Sequence, residues 1–356
     1  QLRLPVFAVL AYAMTNVDMA LVLGPTLPHT LAVEITLWTA DPDLTHQSLA
    51  AAAALVQLAA TIGAILLWTA AERLAADVRR AIAFNGLRLT SLDAPLTAIA
   101  SLTTLLLAAA LIGGLASLAV WSISGLWPFA HALPDSLTLA AWTNAAPALA
   151  TTTGTTLLIA GIATTIALAL TVTALQAEYV TKRPPIPIIW LYLPLIIPQI
   201  CFLPGIETLL LDANASGGII SVAAAHLIFV VPYTWLSFAA AFRAWDTRIA
   251  TVAATLGASQ SRIFWRLRLP MLLAPLLTAA AISFAVSIGQ YLPTLLVGGG
   301  RVTTLTTEAL ALASGGNRRL TATHALLQTL LPAITFGAAI ALPTLLLARR
   351  KVRGFT

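Results

Sequence analysis

Charged residues are scarce in this chain. Asp, Glu, Lys and Arg make up 9% of its 356 residues, whereas hydrophobic residues make up 59%. A soluble domain carries about 25% charged residues, so this scarcity excludes an ordinary soluble globular protein. Apolar stretches close to the ~20 residues that a helix needs to cross a bilayer recur along the chain. We therefore predict an all-α, polytopic membrane protein.

Several motifs of enzymes are also missing. The one cysteine, Cys201, excludes a disulfide framework within the chain. Neither Lys182 nor Lys351 follows a glycine, which excludes the Gly-x4-Gly-Lys-Ser/Thr loop that holds nucleotide phosphates. The sequence has no His-Glu-x-x-His and no Gly-x-Ser-x-Gly, and its five histidines show no metal-ligand spacing. We therefore predict that the chain is not an enzyme and has no catalytic residue, metal or cofactor.

The apolar stretches predict about eight membrane spans. They lie at about 5–25, 47–70, 97–123, 148–175, 186–206, 217–241, 271–292 and 321–347. With the Arg-rich loop 243–268 on the inside, every Lys and Arg lies on the inside except Arg301, Arg318 and Arg319. This distribution follows the positive-inside rule and predicts the orientation. It also explains the net charge of +6 without a nucleic-acid partner.

A short polar segment occurs twice. Residues 2–5 and 267–270 are both LRLP, and at the same spacing Gly24 matches Gly289. A repeated loop that is followed by repeated apolar segments indicates two copies of one membrane module. We assign 1–70 to the C-terminal part of a first half, 71–96 to a cytoplasmic linker and 97–356 to a complete second half. Because the first copy begins within the motif, we expect its helix and glycine to lie upstream of residue 1.

The segment 246–270 keeps a helical pattern although it leaves the membrane. Its apolar residues at helical spacing, which we predict to share one face, are Ile249, Val252, Ala253 and Leu256. Gly257 can end this helix, and Ser259 can cap the next one. Pro270 is expected to open the following span, where its missing N–H is tolerated. The pattern predicts a short amphipathic helix on the inner face, exposed to a docking partner.

This segment resembles the cytoplasmic loop of bacterial ABC importer permeases, whose pattern is Glu-Ala-Ala, three residues, Gly, nine residues, then Ile-x-Leu-Pro. Gly257 is followed by nine residues and then by 267–270, and Ala253 stands at the second Ala position. Thr251 stands at the Glu position. The resemblance covers the whole chain and is greatest to the fused, two-half permeases of the thiamine and iron(III) branch. The run 291–319 is similar to a permease of the Ynj cluster, which is linked to thiamine by analogy.

The resemblance implies a type I ABC importer permease fold and a translocation path for a small solute, thiamine-like or another small molecule or ion. It implies a separate ATP-binding subunit whose groove holds the helix in 246–270, and a periplasmic or extracellular solute-binding protein. It also places the chain as a multi-pass protein in the lipid bilayer of the bacterial plasma (inner) membrane. The residues that it assigns to ATPase coupling are Thr251, Ala253, Gly257, Ala258, Leu267, Leu269 and Pro270.

Polar residues inside the predicted spans are candidates for the path. Asp18 is the carboxylate that we place deepest, and such residues face a cavity or a partner group. Asp18 is either a contact for a cation or substrate, or a charge that neighbouring helices satisfy. The other candidates are Ser283, Ser287, Gln290 and Tyr291, for each of which hydrogen bonding between helices is the alternative.

Three classes of function are compatible with these features. The first is an ABC importer permease, the second an ion-coupled secondary transporter with Asp18 as its coupling site, and the third a structural or enzymatic membrane protein. The repeat suits the first two classes. The helix–glycine–helix loop favours the first.

Overall fold

The structure, a computed structural model, describes residues 3–25, 27–86, 90–128, 131–182, 184–185 and 187–353. In these ranges nearly all of the secondary structure is helical, and an isolated antiparallel bridge joins Ser124 to Leu137. The all-α prediction is therefore confirmed.

Sixteen α-helices and one π-helical turn follow one another along the described residues. They are α1 (Arg3–Met14), α2 (Val17–Leu23), α3 (Leu31–Ala40), α4 (Leu44–Phe84), α5 (Thr90–Ser122), α6 (Ala140–Thr181), α7 (Ile188–Ile196), α8 (Gln199–Asp212), α9 (Ile219–Arg243), α10 (Thr247–Thr255), α11 (Gln260–Ile263), the π-turn (Phe264–Arg268), α12 (Leu269–Met271), α13 (Leu273–Ile288), α14 (Leu292–Gly298), α15 (Leu305–Ser314) and α16 (Arg318–Arg353).

Within the described residues, five helices are long and apolar enough to cross a membrane: α4, α5, α6, α9 and α16. Three further stretches pass the same test only as bent pairs. α1 and α2 meet at 45°, α7 and α8 at 93°, and the stretch from α11 to α12 meets α13 at 71°. Counting each pair as one span gives eight spans, and each overlaps one of the eight stretches that the sequence predicts.

Two of the bends have visible local causes. Between α1 and α2, the Thr15 hydroxyl donates to the carbonyl of Ala11 at 2.8 Å, and the side chain of Asn16 accepts the N–H of Met19 at 2.9 Å. Between α7 and α8, Ile197 has the extended backbone that a following proline imposes. Side-chain capping in the first case and Pro198 in the second therefore end one helix and start another.

The chain forms two compact units. The first consists of the chain up to Ala146 together with Ala309–Leu326. In it α4 packs against α1 and α3, and the buried Gln57 side chain donates to the carbonyl of Met14 at 3.1 Å. Asp43 caps α4 by accepting the N–H of Thr45, which holds the pKa of that carboxyl below its ordinary value.

The second unit consists of Pro147–Glu308 together with the chain from Leu327 onward. In it α9 packs against α7, α13 and α14. α6 buries a stripe of mostly small residues at helical spacing: Thr156, Ala160, Ala163, Ala167 and Thr171. Such residues let neighbouring helices approach closely in a membrane. Accordingly, Ala163 and Ala167 pack against Val230 of α9.

Candidate functional site

The loop between α9 and α13 folds as helix, glycine, helix. α10 ends just before Gly257, which has a φ of +83°. The N–H of Gly257 donates to the carbonyl of Ala254 at 3.0 Å, and the N–H of Ala258 donates to that of Ala253 at 3.0 Å. This pair of bonds is the Schellman motif, which requires a residue that tolerates positive φ. The predicted role of Gly257 as a helix terminator is confirmed.

Side chains cap both helices of this loop at their N-termini. Asp246 accepts the N–H of Arg248 at 2.9 Å at the start of α10. Ser259 accepts the N–H of Arg262 at 3.3 Å at the start of α11, which confirms the predicted cap. Because the backbone donors and acceptors around Gly257 are bonded within the loop itself, α10 and α11 form a defined bend.

The two faces of α10 differ from the expected pattern. Ile249, Ala250 and Ala253 pack against a cluster from α6 and α9 that includes Trp235, Phe238 and Phe242. Val252 is 60% exposed and Leu256 83% exposed. The four residues predicted to share one face therefore differ in burial, because Ile249 and Ala253 lie at the edge that packs inward and Val252 and Leu256 at the edge that is open. Ala250 is buried in this cluster, so the covered side of α10 is formed by Ile249, Ala250 and Ala253.

Arg268 holds this loop against the transmembrane helices. Its side chain is buried, and its guanidinium carbon lies 3.8 Å from the ring centre of Phe242, 4.1 Å from that of Tyr179 and 5.0 Å from that of Trp245. It donates to the carbonyl of Phe242 at 3.0 Å and to Oε1 of Gln176 at 3.3 Å. A planar guanidinium suits this combination of ring stacking and hydrogen bonding.

Arg268 is not among the residues that the resemblance assigns to ATPase coupling. A usable signal was present, because Arg3 occupies the same place in the repeated LRLP segment. The repeat does not predict which residues Arg268 contacts. Its partners come from α6, from the end of α9 and from the residue pair that follows α9, which are distant in sequence.

The π-turn joins α11 to the membrane span. In it the N–H of Leu269 donates to the carbonyl of Phe264, five residues back, and Pro270 follows without an N–H. Such a turn re-routes hydrogen bonds that a proline would break in a regular helix. Pro270 lies in the short α12, and the helix of the span itself begins at Leu273. Pro270 therefore stands in the first turn of a helix, as expected, but that helix is α12, which precedes α13.

The predicted coupling residues divide by exposure. Thr251, Gly257 and Pro270 are exposed, whereas Ala253, Ala258, Leu267 and Leu269 are partly buried. Ala253 and Ala258 both pack against the aromatic cluster beneath α10. The loop thus has a fixed inner side and an open outer side.

Two of the predicted path residues join helices in the second unit. The Ser283 hydroxyl lies 2.7 Å from that of Thr234, and the Ser287 hydroxyl lies 2.8 Å from Nδ1 of His226. Nε2 of His226 lies 2.9 Å from the Thr294 hydroxyl. Both serines are buried. Ser283 and Ser287 therefore form hydrogen bonds between helices, which is the alternative explanation for these two residues. That they also line a translocation path stays a prediction.

The other three path candidates lie at helix ends. Asp18 is partly buried in the first turn of α2, directly after the capping Asn16. A carboxylate in this position interacts favourably with the helix dipole. Gln290 is buried and Tyr291 partly buried in the short connection between α13 and α14. Their role in transport stays a prediction.

In the part of the chain that the structure describes, no group of three or more His, Cys, Asp or Glu side chains could hold a metal ion. The histidines outside the spans instead pair singly with carboxylates. His29 lies 3.0 Å from Glu34, and His46 lies 2.8 Å from Asp41.

Sequence comparison shows which known proteins the chain is similar to. Residues 185–349 match the family described as binding-protein-dependent transport system inner membrane component. The chain is 33% identical over 340 residues to the inner membrane ABC transporter permease protein YnjC of Escherichia coli, an alignment that covers 94% of this chain and 60% of that protein. Over 81 residues it is 35% identical to the molybdenum transport system permease proteins ModB of Mycobacterium bovis and Mycobacterium tuberculosis, which covers 23% of this chain and 31% of each.

The chain thus spans less than two thirds of the length of these relatives. The matched region includes the loop with Gly257 and Arg268, as well as α7 to α9 and α13 to α15. The matched family and the named relatives are components of transport systems rather than enzymes. This agrees with the prediction that the chain is not an enzyme. Residues 185–349 thus match the family of inner membrane components of binding-protein-dependent transport systems, and the chain that contains them is a multi-pass inner membrane protein.

Proposed function

We propose that this chain is the membrane-spanning permease subunit of an ABC importer and that it is driven by a separate ATP-binding subunit. The observation that carries the proposal is the shape of the loop around Gly257. Its inner side packs against α6 and α9, and its outer side presents Val252 and Leu256. Exposed apolar residues on a short, well-capped helix are suited to a groove on a partner protein.

The same loop is connected to three membrane helices, through which a displacement can be transmitted. Arg268 connects it to the carbonyl of Phe242 in α9 and to Gln176 in α6. α11, the π-turn and α12 then lead directly into α13, which packs along α9. A displacement of α10 by a partner would therefore move the cytoplasmic ends of three membrane helices together, because packed side chains transmit displacement as rigid bodies.

The partners and cargo follow from this assignment. The importer would contain an ATP-binding subunit on the cytoplasmic side and an external solute-binding protein. The cargo belongs to the small solutes or ions, and a thiamine-like molecule is the first to test because of the resemblance to the thiamine and iron(III) branch. The mycobacterial relatives are named for molybdenum transport, which makes a molybdenum-containing ion the second cargo to test.

We also propose that two permease halves lie in one chain. The repeat assigns 1–70 to the end of the first half, 71–96 to the linker and 97–356 to the second half. In both copies the helix that leads away from the LRLP segment ends at the matched glycine, since Gly24 is the C-terminal cap of α2 and Gly289 that of α13. This shared feature supports an evolutionary duplication of the module.

The test of coupling is Gly257→Asp. A Cβ at Gly257 would meet no atom within 4 Å, so an aspartate has room to project a charge from the docking side, although the positive φ strains any residue with a side chain. We expect the variant to insert in the membrane but to lose ATP-driven uptake in liposomes that contain the ATP-binding subunit. Gly300→Asp is the matched control, because Gly300 has a similar φ of +71°, equally open surroundings and a place outside the loop.

The outcomes separate the competing functions. Wild-type ATP-driven uptake by Gly257→Asp would remove the docking assignment. Uptake that needs an ion gradient and no ATP, and that is lost in Asp18→Asn, would instead establish an ion-coupled secondary transporter. Loss of uptake in both glycine variants would show that strain at positive φ, and not docking, is responsible.

A further inference from the structure

A pocket of about 760 Å³ lies in the first compact unit, at the end of α5 and the start of α16. We call it the Trp–Arg pocket. Its lining includes Trp121, Trp127, His131, Arg318 and Arg319. The rings of Trp121 and Trp127 stack with their centres 4.2 Å apart, which gives the pocket a rigid aromatic wall.

Two cationic side chains border this wall. The guanidinium of Arg318 lies 5.4 Å from the ring centre of Trp121, and Arg319 donates to the carbonyl of Gly125 at 3.3 Å. Neither arginine has an ion-pair partner among the residues that the structure describes. The nearby carboxylate of Asp135 is bonded to His131 at 2.7 Å. The pocket therefore keeps two positive charges with donors to spare.

The position of these charges is unusual for this chain. In the predicted orientation nearly all Lys and Arg lie on the inner side, and Arg318 and Arg319 are two of the three exceptions. Arginine beside a span end on the outer side opposes the positive-inside bias. A local anion that both side chains can bind would account for their presence there.

The helices beside the pocket leave room for lipid. In the most apolar stretch of α5 no residue is buried in the protein, and in that of α16 only 6% are. Acyl chains can therefore lie along either helix directly beneath the pocket. Tryptophan at the end of a span is typical of the membrane–water interface, where lipid headgroups lie.

We propose that the Trp–Arg pocket binds the phosphate headgroup of an anionic phospholipid. The two guanidinium groups supply bidentate, charge-assisted donors for phosphate oxygens, as arginine does at phosphate sites. The indole pair packs against the glycerol and the upper acyl chain. A free phosphate would satisfy the arginines but would leave the aromatic wall and the apolar helices unused.

The test uses the full chain, purified in mild detergent and titrated with phosphatidylglycerol or with phosphatidylcholine. Native mass spectrometry counts the lipids that stay bound. We expect phosphatidylglycerol to be retained preferentially, and Arg318→Gln/Arg319→Gln to weaken its retention at least about tenfold, since two charge-assisted hydrogen-bond donors are lost. Arg301→Gln is the matched control, because Arg301 is the third outer arginine and lies outside the pocket.

Competition experiments distinguish a lipid headgroup from a soluble anion. Inorganic phosphate or glycerol 1-phosphate that displaces the lipid at equal concentration would overturn the proposal in favour of a soluble anion. Equal retention of the two lipids, or equal loss in Arg301→Gln, would also overturn it. If the double variant does not fold, Arg318→Gln alone gives the answer, because it removes no side-chain hydrogen bond among the described residues.

Discussion

At the scale of single residues, Arg3 and Arg268 share a place in the repeated segment but not an environment. Arg3 is exposed and forms an ion pair with Glu72 at 2.7 Å. Arg268 is buried among aromatic rings. An exposed ion pair of this kind contributes little to stability, whereas a buried, stacked and hydrogen-bonded guanidinium contributes substantially. We therefore expect the two copies to respond differently to the same substitution.

The first residue-scale prediction is that Arg268→Lys destabilises the second unit by about 2 kcal/mol, because it keeps the charge but loses ring stacking and the two-armed hydrogen bonding. Thermal unfolding of the purified chain measures this. Arg266→Lys is the control, since Arg266 is exposed in the same π-turn and should shift stability by less than about 0.5 kcal/mol. Equal effects of the two substitutions would contradict the structural role of Arg268.

The second concerns Asp18. A carboxylate placed in the membrane costs at least ~2.5 kcal/mol on insertion scales, so its presence calls for a compensating contact. We expect Asp18→Asn to lower uptake per assembled complex while basal ATP hydrolysis stays near normal. Asn16→Ala serves as the control, because it removes the cap of the same helix, α2, and should lower stability by about 1 kcal/mol without a specific effect on uptake. Unchanged uptake with lowered stability in Asp18→Asn would make it a packing residue.

At the scale of elements, α10 has one face that holds it and one that is free. We expect Leu256→Gln to weaken the association with the ATP-binding subunit by about tenfold or more, because an exposed leucine side chain gains about 1.5–3 kcal/mol when it is buried in a partner. Titration of the subunit against the chain in nanodiscs measures the affinity. The stability of the chain should not change, since Leu256 is 83% exposed.

The control for this element is Ala250→Gln. Ala250 faces the aromatic cluster, so a larger polar side chain should destabilise the loop and lower affinity only through that loss. An unchanged affinity in Leu256→Gln would show that the partner does not use the outer face of α10.

The sequence predicts the ends of these elements better than their faces. Gly257 and Ser259 act through hydrogen bonds to residues within five positions, so their roles are visible in the local sequence. Which side of α10 is buried depends on α6 and α9, so the local pattern does not show that Ile249 and Ala253 are covered while Val252 and Leu256 stay exposed. The roles of Ser283 and His226 likewise depend on partners in other helices.

At the scale of the whole molecule, hydropathy alone predicts eight apolar stretches, and each of them overlaps one candidate span of the structure. It did not show that three of them bend sharply. Two of these bends arise from capping side chains and from a proline, neither of which changes the mean hydropathy of a stretch. A bent pair is compatible with a span that is broken within the membrane or with a loop that enters and leaves on one side.

The last prediction decides this for α11–α13 and tests the orientation of the chain. Cys201 is the single cysteine, so Cys201→Ser gives a background in which one new cysteine can be labelled. We expect Leu256→Cys to react with a membrane-impermeant maleimide only in inside-out vesicles, and Gly300→Cys only in intact spheroplasts. Both sites are exposed, and the bent pair is the one candidate span between them in the described chain. Labelling of both cysteines from the same side would show that the pair is re-entrant, and labelling from the opposite sides to those stated would reverse the orientation that the arginines predict.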